Sequence, residues 1–266
     1  MIRAAVLGKP ITHSLSPLVP GLIYEELGLE HEYTRFELDV TEAITFLRRE
    51  ISKGWSGFSL TMPLKEVGFA LDLPVDELAS RARSINTITP HGCFNTDISG
   101  LVRVLRHSTS DLSEVVIIGN GATARSSLIA LERLGSVREV TIVRRDDRKD
   151  DLLPTVSNMS MRFIRFDDIF SEPFGDRTLL ISTVPGNVQE SFLDKFVDYR
   201  GTLVDFSYSP WPSALAKVCR GEVVSGLPIL VSQAIDQARL FTGLTFDEEA
   251  MYEKILSSTV RELGMK

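Results

Sequence analysis

Residues 115–125 read Val-Val-Ile-Ile-Gly-Asn-Gly-Ala-Thr-Ala-Arg, an apolar run followed by a glycine-rich turn and the opening of a helix. Gly119, Gly121 and Ala124 fall at the three small-residue positions of a G-x-G-x-x-G/A pattern. In such a turn the first glycine permits the tight bend and the second lets backbone approach a pyrophosphate. The small third residue lets the helix pack closely on the strand. The helix N-terminus adds amide donors and the positive end of a dipole. Asn120, Ala122 and Thr123 complete this candidate dinucleotide cradle. The next apolar run ends in Val143-Arg144-Arg145. An NAD site usually carries an acid there, about 20 residues beyond the turn, for the ribose 2′-hydroxyl. Guanidinium forks suit phosphate oxygens instead. Arg144 and Arg145 therefore predict NADP(H) as the cofactor. Asp146 and Asp147 follow directly, so the competing reading of 144–151 is a solvated charged loop.

Other chemistries find little support. Cys93 and Cys219 are far apart, which is neither a disulfide framework nor a metal motif, and they read as two free thiols. His13, His31, His91 and His107 lack ligand spacing, so no metal is expected. Gln233 and Gln237 lie four apart in a helical stretch, facing either solvent or a cleft.

The elements that must carry these residues alternate between β and helical patterns, which points to an α/β fold with parallel sheets. Strands are expected near 4–7, 33–38, 57–60 and 85–89, and helices near 17–27, 41–53 and 75–81. Ser16 is expected as a helix N-cap with Pro17 at the first helical position. A second series begins at Glu114, with strands near 115–118, 140–143, 179–181 and 203–204, and its first helix stops at Gly135. A later helix starts at Leu230, repeats apolar residues at Ala234, Ala238 and Phe241, and stops at Gly243.

Six segments, in order, resemble the shikimate dehydrogenase family: GKPITHSLSP at 8–17, SLTMPLK at 59–65, INT at 85–87, NTDISG at 95–100, DFSYSP at 205–210 and GLPILVSQA at 226–234. The resemblance runs from Val6 to Gly243. It implies two domains, an α/β substrate domain over 1–100 to which 226–266 return, and a doubly wound Rossmann-type NADP domain over 101–225. It further implies reversible oxidation of the 3-hydroxyl of shikimate, with NADPH reducing 3-dehydroshikimate physiologically. Lys65 and Asp97 would form the catalytic pair. Ser14, Ser16 and Tyr208 would donate to the substrate carboxylate, and Thr61, Asn86, Asp97 and Gln233 would bond the ring hydroxyls. ISTVPG at 181–186 resembles the loop flanking the nicotinamide, which brings Thr183 and Val184 to the cofactor, with Gly226 beside them. Three departures stand out. Ser59 replaces a more usual Asn, Asn120 sits inside the glycine turn, and Arg144-Arg145-Asp146 replaces Asn-Arg-Thr.

With 266 residues, 43% apolar and 24% charged, the chain has the composition of a soluble globular protein. The net charge of −7 argues against binding nucleic acid or an anionic membrane. The opening MIRAAVLG runs straight into a strand pattern, without the regions of a signal peptide, and a cytoplasmic monomer or homodimer is expected. Two rivals remain. One is a quinate or aminoshikimate dehydrogenase using NAD, and the other is a non-catalytic nucleotide-dependent sensor on the same fold.

Overall fold

The computed structural model describes residues 1–12, 15, 17–108, 114–145, 147 and 150–265. The chain divides into two compact units, 1–100 with 230–266, and 101–229.

In the first unit, β1 (Ile2–Gly8) is the apolar strand of the opening residues, and Ala4, Ala5, Val6 and Leu7 are all buried. A strand covered on both faces belongs inside a sheet. It lies between β2 (His31–Glu37) and β3 (Gly57–Leu60), parallel to both. The short strands β4 (Thr87–Thr89) and β5 (Gly92–Phe94) extend the sheet antiparallel, in the order β2-β1-β3-β4-β5. Leu47, Trp55, Phe58, Leu64 and Ile88 are buried in the core on this sheet.

The helices of this unit show where local signals were strong. For α2 (Val40–Glu50), Asp39 and Glu42 form a reciprocal capping box. For α1 (Leu18–Glu26), Pro17 precedes the first helical residue and the Leu15 carbonyl accepts from the Leu18 and Val19 N–H groups. Ser16, the expected cap, lies outside the described residues. For α3 (Glu77–Ala82) the start moves from 75 to 77. Asp76 accepts from Leu78 and Ala79, while Val75 bridges to Cys93 in extended pairing. Ile85 and Asn86 precede β4 instead of opening it. The helix α4 (Asp97–Ser108) follows β5.

The second unit holds β6 (Glu114–Ile118), α5 (Ala122–Leu134), β7 (Glu139–Arg144), β8 (Ser160–Arg165), β9 (Leu179–Ser182), α6 (Gly186–Gln189), β10 (Leu203–Asp205), α7 (Ala214–Val218) and β11 (Val223–Val224). All six strands pair in parallel in the order β11-β10-β9-β6-β7-β8. That is a doubly wound sheet whose order reverses at β6, where ligands bind outside the carboxyl ends of the strands. Gly135 ends α5 in the left-handed region at φ 74°.

The helix α8 (Gly226–Thr242) begins four residues before its expected start at Leu230. Pro228 sits in its first turn, where a missing N–H is harmless. Gly243 ends it at φ 69°. Finally α9 (Glu248–Glu262) packs on α1. Cys93 and Cys219 are free and buried, and burial pushes both thiols up to about 11, so neither is a ready nucleophile. Among the described residues, no helix is long and apolar enough to cross a membrane.

Candidate active site

The parallel strands β1 and β3 end side by side, so residues 9–12 and 61–66 leave the same edge of the first sheet. Gly8 allows this approach. A Cβ there would stand 2.4 Å from Thr61 Cγ2 and 3.1 Å from the Met62 carbonyl oxygen. The Thr61 N–H donates to the Leu7 carbonyl at 3.0 Å, and the Lys9 N–H to that of Met62 at 2.9 Å. After the turn at Met62-Pro63, the Lys65 carbonyl accepts from the Ile85 N–H at 2.7 Å, which sets Lys65 beside Asn86.

Asp97 is placed by its neighbour. Asn95 Oδ1 accepts from the Asp97 and Ile98 N–H groups, acting as the cap of α4, and Asn95 Nδ2 donates to the Ser84 carbonyl. The carboxylate then opens the helix facing Lys65. Lys65 Nζ donates to Asp97 Oδ2 at 2.7 Å, with the two side chains 15% and 11% exposed. Asn86 Nδ2 donates to Asp97 Oδ1 at 3.0 Å and also reaches Thr96 Oγ1 at 2.9 Å and Gln233 Oε1 at 3.2 Å. Asn86 Oδ1 accepts from the Thr96 N–H at 2.8 Å. That main-chain N–H can only donate, which orients the Asn86 amide toward Asp97.

Lys65, Asp97, Asn86 and Gln233 therefore form one hydrogen-bonded cluster, and Thr61 leaves the strand that leads into it. Chemically it is an ammonium held by a carboxylate, ringed by neutral donors and acceptors. Such a group is poised to stabilise negative charge as it develops on a bound oxygen. Ser14 and Ser16 lie outside the described residues. Tyr208 lies in the second unit, half-buried, after β10. Its segment is anchored by Asp205 Oδ1, which accepts from the Ser207 N–H at 3.0 Å.

In the second unit the glycine turn meets the end of β9. Gly119 adopts φ 115°, open to glycine alone, and a Cβ there would stand 2.4 Å from Thr183 Oγ1 and 3.2 Å from Val184 Cγ1. Thr183 Oγ1 donates to the Ile118 carbonyl at 2.8 Å, and the Gly119 N–H to that of Val143 at 2.8 Å. Gly121 leads into α5, where no described side chain caps the helix, and a Cβ on Gly121 would meet nothing within 4 Å. An open, uncapped helix start beside a glycine turn fits a pyrophosphate.

The two arginines, grouped together by sequence, separate in space. Arg144 pairs with Asp147 and, at 2.9 Å, with Asp150 Oδ2, and its guanidinium lies 5.3 Å from the Phe163 ring centroid. Asn120 Nδ2 donates to Asp150 Oδ1 at 3.2 Å. Arg145 is exposed. Gly226 sits against Phe206, where a Cβ would stand 2.2 Å from the carbonyl oxygen, and its N–H donates to the Ser207 carbonyl.

Sequence reasoning missed four participants: Ser59, Thr87, Thr96 and Gln237. Thr96 stands inside the quoted NTD segment, and its hydroxyl lies between Asn86 and Gln233. Gln237 was visible only as the partner of Gln233 at helical spacing. Both glutamines are buried, which decides the open question against the solvated face.

Comparison with known proteins gives a consistent picture. The family model described as the shikimate dehydrogenase substrate binding domain matches residues 6–88. The chain is 30% identical to a shikimate dehydrogenase (NADP(+)) of Thermus thermophilus, over 95% of this chain and 97% of that one. The crystal structure of Mycobacterium tuberculosis shikimate dehydrogenase superposes with a TM-score of 0.83 at 32% identity, covering 97% of this chain and 100% of that one. A crystal structure of shikimate 5-dehydrogenase from Thermus thermophilus, in complex with NADP(H) and shikimate, superposes at 0.74 with 26% identity, covering 97% and 100%. The chain also matches the pentafunctional AROM polypeptide of Schizosaccharomyces pombe at 28% identity, spanning 18% of its length.

Proposed function

Because the chain belongs to the shikimate dehydrogenase family, we propose that it catalyses the reversible NADPH-dependent reduction of 3-dehydroshikimate to shikimate. This is a step toward chorismate and the aromatic amino acids, placed here in the cytoplasm with the chain acting as a monomer or homodimer. The observation that carries the reading is the Lys65–Asp97 pair at 2.7 Å, joined by Asn86 and Gln233 in one network.

NADPH, when bound, supplies the hydride. Lys65 donates to the ketone oxygen, where negative charge develops, and passes it a proton; in the oxidation direction Lys65 takes the proton back. Asp97 holds the ammonium in place and bonds a ring hydroxyl. Thr61, Asn86 and Gln233 bond the remaining hydroxyls, and Ser14, Ser16 and Tyr208 donate to the carboxylate. A site built on such pairs rejects analogues that leave a buried partner unsatisfied. Residues 1–100 with 226–266 bind the substrate in this reading, and 101–225 bind the dinucleotide.

Gly119 to Ala124 cradle the pyrophosphate, Thr183 and Val184 flank the nicotinamide, and Gly226 contacts the cofactor. Arg144 and Arg145 supply the positive charge for the 2′-phosphate. Arg145 is the main contributor, because Arg144 is already engaged by Asp147 and Asp150. Arg145→Ala is expected to raise the KM for NADP by about 10- to 100-fold, the worth of one charge-assisted hydrogen bond, with little change for NAD. Equal losses with both dinucleotides would place the 2′-phosphate elsewhere.

The direct test follows absorbance at the reduced-nicotinamide band with shikimate or quinate and with NADP or NAD. Shikimate with NADP should have the highest kcat/KM. A higher value for quinate with NAD, or no turnover of either acid, would overturn the assignment.

A further inference from the structure

A second run of buried hydrogen bonds reaches Asn86 through its main chain. Gln237 lies one helical turn beyond Gln233 on α8 and is 3% exposed. Its Nε2 donates to the Asn86 carbonyl at 3.1 Å and to Thr87 Oγ1 at 2.9 Å. A main-chain carbonyl only accepts, so the orientation of this amide follows from chemistry, and Oε1 must face Ser59. Ser59 Oγ then donates its single proton to Gln237 Oε1 at 2.7 Å. The Tyr33 hydroxyl, 2.6 Å from Ser59 Oγ, is therefore the donor of that pair. Burial pushes the Tyr33 phenol well above its ordinary range, which keeps the proton in place. At the other end, Thr87 Oγ1 accepts from Gln237 and donates to Asn86 Oδ1 at 2.8 Å. Every hydroxyl and amide along this path has one consistent direction.

The path runs along the short pairing of β3 with β4. The two strands share the pairs Phe58–Ile88 and Ser59–Thr87, and the Leu60 N–H donates to the Asn86 carbonyl at 2.8 Å beside Gln237. Thr61 and Lys65 follow the first strand, and Asn86 immediately precedes the second. Gly57 lets α8 lie close enough to span them, since a Cβ there would stand 2.1 Å from Phe241 Cε1. Gln233 holds the Asn86 side chain while Gln237 holds its carbonyl, so one helix grips the residue at two points.

We propose that Tyr33, Ser59 and Gln237 form a positioning bridge that ties β3 to β4 and holds Asn86, and through it Asp97, in register with Lys65. None of the three is assigned to substrate, and the inference rests on the reading of the Lys65–Asp97–Asn86 cluster given above. A misplacement of about 1 Å at a reacting group can cost on the order of 100-fold in rate, so a bridge of this kind acts on kcat.

The test compares Ser59→Ala, Gln237→Leu, Tyr33→Phe, the Ser59→Ala/Gln237→Leu double variant and Ser59→Thr, using shikimate with NADP. The alanine and leucine variants should lose about 10- to 100-fold in kcat, more than any change in shikimate KM, while the Kd for NADP(H) stays at the wild-type value. The double variant should be no slower than the worse single one, because both break the same bridge. Ser59→Thr, which keeps the hydroxyl, should retain most of the rate. Thermal melting identifies folded variants. If Gln237→Leu does not fold, Ser59→Ala and Tyr33→Phe decide. Wild-type kcat in the folded variants, or losses that multiply in the double, would overturn the bridge. A wild-type protein inactive on shikimate would instead overturn the assigned function.

Discussion

Lys65→Ala is expected to lower kcat on shikimate by about 100- to 10,000-fold, the range contributed by a positioned acid–base group, while the Kd for shikimate stays near wild type. The separation follows from how the groups are arranged. In the proposed reading, ground-state affinity would be shared among Thr61, Asn86, Gln233 and the hydroxyl donors, whereas the ammonium would act mainly on charge that develops during reaction. Lys65 is also held by Asp97 at 2.7 Å, so the variant leaves a carboxylate oxygen without that donor. Asn86 still donates to the other oxygen at 3.0 Å. A stability loss of about 1–3 kcal/mol is the expected cost of one unsatisfied buried acceptor. Absorbance kinetics, calorimetric titration with shikimate and a melting curve separate the three effects. Unchanged turnover in a folded Lys65→Ala protein would remove Lys65 from the chemistry.

Gly119→Ala and Gly121→Ala are expected to fail in different ways, although sequence treats them as two members of one pattern. At Gly119, alanine must hold φ 115° and place its Cβ 2.4 Å from Thr183 Oγ1, a hydroxyl committed to the Ile118 carbonyl. The backbone strain alone costs on the order of 1–3 kcal/mol, so the ligand-free protein should melt earlier and dinucleotide affinity should fall with it. At Gly121 the backbone sits at φ −82° and an added Cβ meets nothing within 4 Å. The ligand-free protein should therefore melt as wild type. In the proposed reading the new methyl group would stand where the pyrophosphate approaches the backbone, and a penalty of about 1.4 kcal/mol would already weaken binding tenfold. Fluorescence titration with NADPH, paired with melting of the ligand-free proteins, reads both quantities. Wild-type NADPH affinity in Gly121→Ala would place the pyrophosphate away from this turn.

Much of the molecule was legible because its signals are local. The run 115–125 joins strand, turn and helix within a few residues, and each type has a steric reason to be where it is. Gly135 and Gly243 end their helices for the same kind of reason, the low cost of a left-handed residue without a Cβ. Boundaries shifted where a nearby side chain outcompeted the expected start, as with Asp76 for α3.

By itself, the order of residue types determined the α/β architecture, the strand–glycine turn–helix at 115–125 and the segments that carry the family resemblance. Tertiary structure alone decided which polar groups meet. Gln233 and Gln237 looked alike along the helix, yet one bonds the Asn86 side chain and the other its main chain, Thr87 and Ser59, with Ser59 lying 178 positions away. Arg144 and Arg145 looked alike as well, until Asp147 and Asp150 engaged the first. Periodicity reports which face of an element is apolar. A hydrogen bond between distant residues depends on strand order and helix position to within a fraction of an ångström, and those are properties of the packed chain.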